Sequence, residues 1–235
     1  DVPKETPVAI IGAGYAGLST AVELARHGIQ SVVLDAAEPG YGGSTRNGGM
    51  VSGGVSVGKR YAGKDSKERL AALYTDAADS FTVIEQLIAR ENIDCEWTKS
   101  GRFGGAWCDS HYAAMQTTAE LLIQYADAGA YALPRERQRE EIGSDFYRGG
   151  LVTTRAAHLH PAKYYRGLIA AARKAGVTIC ARAGVTKLER HGAGWRLDTT
   201  RGAIAAKDVV VGTNGYTGQV TPELQRRVIP LASYI

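Results

Sequence analysis

The run Val8-Ala9-Ile10-Ile11-Gly12-Ala13-Gly14-Tyr15-Ala16-Gly17 constrains this chain more than any other stretch. Four apolar residues break into Gly-x-Gly-x-x-Gly. Gly12 permits a tight turn off a strand. Gly14 lets backbone approach a pyrophosphate with no Cβ in the way, and Gly17 lets the following helix lie close to the sheet. The helix N-terminus behind the turn offers free N–H groups to phosphate. Leu18, Ala21, Val22 and Ala25 then share one helical face, and Gly28 stands where a helix C′ residue belongs. A second apolar run, Ser31-Val32-Val33-Leu34, ends in Asp35, 23 positions after Gly12. A carboxylate about 20 residues on is the expected partner of a ribose diol. It would repel a dinucleotide carrying a 2′-phosphate.

The chain has 235 residues, of which 44% are hydrophobic, enough for a substantial core in one large or two small domains. Its 28 basic and 24 acidic residues leave a net charge of +4. The excess is scattered, and the mixed run Arg135–Glu141 reads as a solvated face, so no nucleic-acid partner is expected. Cys95, Cys108 and Cys180 are an odd set without CxxC spacing. They read as reduced thiols of a cytoplasmic protein, with no metal site, and Cys108 shows no activating neighbour. No apolar run is long enough for a membrane span, and Asp1-Val2-Pro3-Lys4-Glu5 is not a signal peptide.

Beyond the first β–α–β unit, residues 39–60 are glycine-dense and read as a functional loop. Asp65-Ser66-Lys67-Glu68 resembles a capping box. It opens a helix with Leu70, Leu73, Tyr74, Ala77, Phe81, Ile84 and Leu87 inward. A strand is expected near residues 101–107, and a helix over about 110–128. A loop with a polar turn follows over 133–150, then a short strand at Leu151–Thr153. Pro161 opens a further helix that buries Tyr164, Leu168, Ile169 and Ala172 and ends at Gly176. Then come a parallel strand at Val177–Cys180, a hairpin of Val185–Arg190 with Trp195–Thr200, a short strand after Gly202, and a last strand at Asp208–Val211. This order predicts an α/β, doubly wound sheet interrupted by inserted material.

Two further segments carry chemistry. In Gly43-Ser44-Thr45-Arg46-Asn47-Gly48-Gly49-Met50, the hydroxyls can donate to phosphate oxygens and Arg46 can neutralise them, while Gly48 and Gly49 let backbone lie against a flat ring. Val209-Val210-Val211 runs into Gly212-Thr213-Asn214-Gly215 at the strand's carboxyl end, where ligands bind such sheets.

The fingerprint, Ser44–Gly49, Leu159-His160-Pro161 and Thr213-Asn214-Gly215-Tyr216-Thr217 together resemble the FAD-dependent amine and amino-acid oxidases. That family includes D-amino acid oxidase, glycine oxidase and sarcosine oxidase. The likeness is greatest to the γ-glutamylputrescine oxidase-like branch, where Arg-Asn-Gly-Gly follows a small-residue turn. It runs from about Pro7 to Ile235 and covers the first half to three-fifths of such proteins. The resemblance implies a Rossmann-like FAD-binding domain with an inserted, incomplete α+β substrate domain. The expected bounds are 1–95 and 151–220 for the first, and 96–150 and 221–235 for the second.

By the same resemblance, Gly12, Ala13, Gly14, Tyr15, Ala16 and Gly17 would hold the pyrophosphate, with Asp35 and Ala36 at the adenosine ribose. Gly43, Ser44 and Thr45 would meet phosphate. Arg46, Asn47, Gly48 and Gly49 would follow the flavin, with Met50 near its ring edge. Val185 would meet the adenine, and Thr213, Asn214 and Gly215 would flank the ADP portion. The loop carries no His or Cys for covalent attachment, so FAD is expected to be non-covalent. The implied reaction is hydride transfer from the carbon beside the nitrogen of a small amine or amino acid, with O2 reoxidation to H2O2. No catalytic side chain is assigned. The remaining C-terminal half is expected as a second polypeptide or as further chain. An NAD-dependent dehydrogenase fits the fingerprint and Asp35 equally well. A non-catalytic flavin-binding subunit or a truncated fragment is the third reading.

Overall fold

An apolar strand without polar alternation needs cover on both faces. Glu5–Ile11 (β1) finds it inside a six-stranded sheet. The computed structural model describes residues 1–52, 67–126 and 129–231. After β1 come α1 (Tyr15–Arg26), β2 (Ser31–Leu34), β3 (Met50–Ser52), α2 (Lys67–Arg90), β4 (Arg102–Gly105), α3 (Asp109–Tyr125), β5 (Ala130–Leu133) and β6 (Gly150–Thr153). They are followed by β7 (Ala156–His158), α4 (Pro161–Lys174), β8 (Thr178–Cys180), β9 (Val185–His191), β10 (Gly194–Thr199), β11 (Gly202–Val211) and α5 (Pro222–Gln225). Asp65, Ser66, Lys59, Arg60 and Tyr61, and the loop glycines from Gly53 to Gly58, lie outside the described residues.

The chain divides into two units. The first comprises Asp1–Gly48, Ile93–Cys95 and Pro161–Ile235, the second Gly49–Asn92 and Glu96–His160. The sheet of the first unit has the order β8-β2-β1-β11-β10-β9, with β8, β2, β1 and β11 parallel. The chain leaves β1 for β2 on one side and returns to β11 on the other. The β1–β11 boundary is therefore the switch point, and Ile11 stands opposite Val211 there. One sheet face gathers Ala9, Ile11, Val32 and Leu34 with Leu197, Ile204 and Ala206. On the other, Ile10 meets α1, which buries Leu18, Ala21 and Val22.

Two expected strands at the end of this unit are one. β11 runs unbroken for ten residues because Gly202–Ala206 pair with β10 while Ala205–Val211 already pair with β1. The two ladders overlap at Ala205 and Ala206, so nothing interrupts the strand.

The second unit holds an antiparallel sheet of order β4-β6-β5 and an antiparallel β3–β7 pair. Tyr74 and Ala78 of α2 pack with Leu122 and Ala126 beside Ala130. The buried stripe of α2 runs Tyr74, Ala78, Phe81, Leu87 and Ile88, and Leu73 is exposed. Tyr74, Phe81 and Leu87 are buried as expected, Ala77 and Ile84 are half-buried, Ala78 and Ile88 join the stripe, and the Leu70 side chain lies outside the described residues. The contact grouping also differs from the expected bounds. Residues 49–92 and 151–160 fall in the second unit, since α2 packs on α3 and β6 pairs with β4 and β5. Pro222–Gln225 fall in the first. Among the described residues, no helix is long and apolar enough to cross a membrane.

Leu197 is fully buried where the β9–β10 hairpin meets the parallel strands. Leu197→Ala is expected to lower stability by about 2–5 kcal/mol in urea denaturation.

Candidate functional site

Three glycines close the end of the sheet. Gly12 has φ +102°, and a Cβ there would come 3.0 Å from the Gly212 carbonyl oxygen. A Cβ on Gly17 would run into the Gly12 carbonyl oxygen. The Gly12 N–H donates to Leu34 O and the Gly212 N–H to Ile11 O, both at 2.8 Å. This close approach sets Thr213 beside the turn, its backbone nitrogen 3.6 Å from where a Gly12 Cβ would be.

Gly14 is the N-cap of α1 and brings no side chain to the helix end. Ser44 does so instead: its Oγ accepts the Tyr15 N–H at 3.1 Å. A Cβ on Gly14 would sit 3.1 Å from that Oγ, so glycine is what admits the serine. Accepting this bond leaves the Ser44 hydroxyl hydrogen to donate. Among the described residues the Gly14 N–H has no hydrogen-bond partner. The turn therefore offers two donors side by side, as a phosphate oxygen requires.

Asp35 is committed more deeply than its place at a strand end announces. Its Oδ2 accepts the Ala13 N–H at 2.8 Å and its Oδ1 the Ala37 N–H at 2.9 Å. One lone pair remains on each oxygen, sufficient for a ribose diol. The Ala183 N–H donates to the Asp35 carbonyl at 2.7 Å. A Cβ on Gly184 would lie 3.3 Å from the Ala36 Cβ, which sets Val185 next to this end of the site.

The 40–48 loop is shaped by its own side chains. Thr45 Oγ1 donates to Gly40 O at 2.7 Å, and Asn47 Nδ2 donates to Gly43 O and Ser44 O at 3.1 and 3.2 Å. The exposed Arg46 guanidinium lies 4.6 Å over the Tyr41 ring. Asn214 takes φ +44°, and the Thr213 and Thr217 hydroxyls lie 2.7 Å apart. Gly215 packs toward Pro230. Ala16, Gly43 and Gly48 are exposed. Gly49 and Met50 belong to the second unit, where Met50 opens β3 and is 79% exposed.

Sequence reasoning reads Tyr164 and Tyr165 as helical core or rim, and this misses a role. Both are buried, and the Tyr165 hydroxyl donates to Ala13 O at 2.7 Å. The Tyr15 hydroxyl donates to Pro161 O at 3.2 Å, with its ring edge-on to Tyr164 at 5.2 Å. Burial pushes the Tyr164 hydroxyl up to about 12. Burial, with the Asp35 charge adding to it, does the same for Tyr165. The available signal is a pair of polar aromatics one turn into a helix opened by Pro161. In the second unit, Cys108 does have an activating neighbour. Ser110 Oγ lies 3.2 Å from its Sγ, and this contact, with the His111 backbone N–H, lowers the thiol's pKa. Among the described residues no cluster of His, Cys, Asp or Glu could hold a metal ion.

A parallel sheet whose glycine turn, helix N-terminus and strand-end carboxylate meet at its switch point defines an α/β protein of the dinucleotide-binding class. Residues 7–235 match the family described as FAD dependent oxidoreductase, and the chain belongs to it. It is 31% identical over 233 residues to gamma-glutamylputrescine oxidoreductase of Escherichia coli K12, which covers 97% of this chain and 54% of the relative. Its fold is similar to that of glycine oxidase from Geobacillus kaustophilus, with TM-score 0.76, 19% identity, and coverage of 94% of this chain and 59% of that one. It is also similar to that of L-proline dehydrogenase from P. horikoshii, with TM-score 0.77, 14% identity, and coverage of 94% and 56%. The chain spans about half the length of the curated relatives it matches. Family membership separates the two dinucleotides that the fingerprint alone leaves open.

Ser44→Ala leaves the Tyr15 N–H without its acceptor, so a loss of about 1 kcal/mol is expected in urea denaturation. The two buried tyrosines have hydroxyl pKa values raised in the folded state. Their contribution to stability is complete below about pH 10 and is lost as pH rises towards 12. Denaturation across that window should show the decline together with rising tyrosinate absorbance.

Proposed function

We propose that this chain forms the FAD-holding part of an oxidoreductase that oxidises the C–N bond of a small amine or amino acid. The observation that carries the reading is the donor pair at the switch point, the Gly14 N–H and the Ser44 hydroxyl, flanked by the Asp35 carboxylate. The pair fits a pyrophosphate: a Cβ on Gly14 would crowd Ser44, and nothing lies within 4 Å of where a Cβ on Gly43 would be. Gly12, Ala13, Gly14 and Ser44 would hold that group, Asp35 and Ala36 the ribose, and Val185 the adenine. Thr213–Gly215 would flank the ADP portion. Arg46, Asn47, Gly48, Gly49 and Met50 are assigned to the flavin side.

When bound, FAD supplies a hydride acceptor for the carbon beside an amine nitrogen, with O2 as the final oxidant and H2O2 released. The chain's own residues bind and orient. The α1 N-terminus contributes positive potential, Ser44 and Gly14 contribute directed N–H and O–H donors, and Asp35 fixes the turn that presents them. Attachment is non-covalent in this reading, because residues 40–49 contain neither His nor Cys. The 31% identity to gamma-glutamylputrescine oxidoreductase supports an amine as substrate.

The intact protein is expected to purify with a flavin spectrum, to release its flavin on acid precipitation, and to form peroxide on addition of a primary amine. Binding of NAD in place of FAD in calorimetric titration would overturn the cofactor assignment. Flavin that no amine or amino acid reduces would overturn the substrate class.

A further inference from the structure

The backbone of Ala13 is held on both its flanking peptides by groups that lie far away in sequence. Its N–H goes to Asp35 Oδ2 at 2.8 Å, and its carbonyl accepts the Tyr165 hydroxyl at 2.7 Å, 152 positions along the chain. Ala13 is 1% exposed and Tyr165 4% exposed, so no water competes for either group. No peptide bond in the described chain is cis. In a trans peptide the carbonyl of one residue and the N–H of the next point in opposite directions. Tying the Ala13 carbonyl to Tyr165 therefore aims the Gly14 N–H away from α4. That N–H has no hydrogen-bond partner among the described residues.

The hydroxyl is itself held firmly. The Tyr165 ring fills the space beside Gly40, where a Cβ would come 3.0 Å from the ring. Gly40 can take its φ of +96° at no steric cost, and its carbonyl receives Thr45 Oγ1. The Tyr15 ring lies 6.4 Å from that of Tyr165 and ties back to Pro161 at the start of α4. The same ring thus touches the pyrophosphate turn and the base of the loop that brings Ser44 to it.

We propose that Tyr165 is a positioning residue for the cofactor: its hydroxyl fixes the orientation of the Ala13–Gly14 peptide, so that the Gly14 N–H is presented to a phosphate oxygen before the dinucleotide arrives. This rests on the FAD reading above and adds a residue to it that lies outside the fingerprint. Tyr165 acts through the peptide and does not touch the ligand. Tyr164 makes the contrast. It is equally buried, but it packs edge-on to Tyr15, and no backbone carbonyl among the described residues accepts its hydroxyl.

The test compares Tyr165→Phe, Tyr164→Phe and Leu168→Val in the intact protein. Leu168→Val lowers stability from a fully buried site on the same helix and removes neither hydrogen-bond partner of Ala13. Two readouts are taken: FAD affinity by calorimetry, and hydrogen exchange of the Gly12–Gly17 amides without FAD. Tyr165→Phe is expected to weaken FAD binding about tenfold and to speed exchange at Ala13, whose N–H is bonded to Asp35, as loss of one ordinary hydrogen bond implies. The other two variants should bind FAD within about twofold of the parent. Parent-like affinity and exchange in Tyr165→Phe would overturn the proposal. So would an equal loss of affinity in Leu168→Val, which would mark a merely structural effect. A parent protein that binds no FAD would instead overturn the cofactor reading, and the exchange data would still judge the orientation of the peptide.

Discussion

Everything at the site depends on how closely two backbone turns approach each other. Gly12 and Gly212 leave adjacent parallel strands and pass with no room for a Cβ on the first, while Gly17 packs its helix onto the Gly12 carbonyl. Side chains at these positions would push α1 off the sheet and open the gap between β1 and β11. With hydrogen atoms only, the helix N-terminus is brought to the switch point, where its unpaired N–H groups face the ligand crevice. The rest of the cradle, from Ser44 to Thr213, is arranged around that contact.

Asp35 binds two tasks together. The carboxylate that is available to a ribose also receives the Ala13 N–H, and the Ala13 carbonyl is held in turn by Tyr165. In the proposed reading, a ribose held by Asp35 and the shape of the Gly12–Gly17 turn would thus belong to one hydrogen-bonded network. Such a network is well determined only when each member is satisfied. Ser44 extends it by capping α1 at a position where the helix's own N-cap is glycine.

Much of this was legible in the chain. The β1–α1–β2 unit, the parallel β8, the β9–β10 hairpin and α4 all follow from apolar runs and turn residues, because local pattern and tertiary burial agree there. The short strands β3, β5 and β7 were not legible. Ala130–Leu133 lacks β-branched residues, Met50–Ser52 lies in a glycine-rich stretch, and Ala156–His158 is three residues long. Their strand state comes from partners elsewhere in the sequence. The site shows the same division. Glycines and Asp35 declare themselves by spacing. That Tyr165 serves Ala13 does not, since nothing local marks which buried hydroxyl meets which distant carbonyl.

β11 carries a consequence for the order of events in the life of the chain. Glu5 pairs with Ala205 and Ile11 with Val211, so β1 takes its central neighbour from residues about two hundred positions later in the chain. The loop between them must close before the Gly12–Gly212 contact exists, and loop closure of that length is entropically opposed. Until then β1 has an apolar, unpaired edge. The cradle is therefore a late product of folding, completed only when β11 docks against β1.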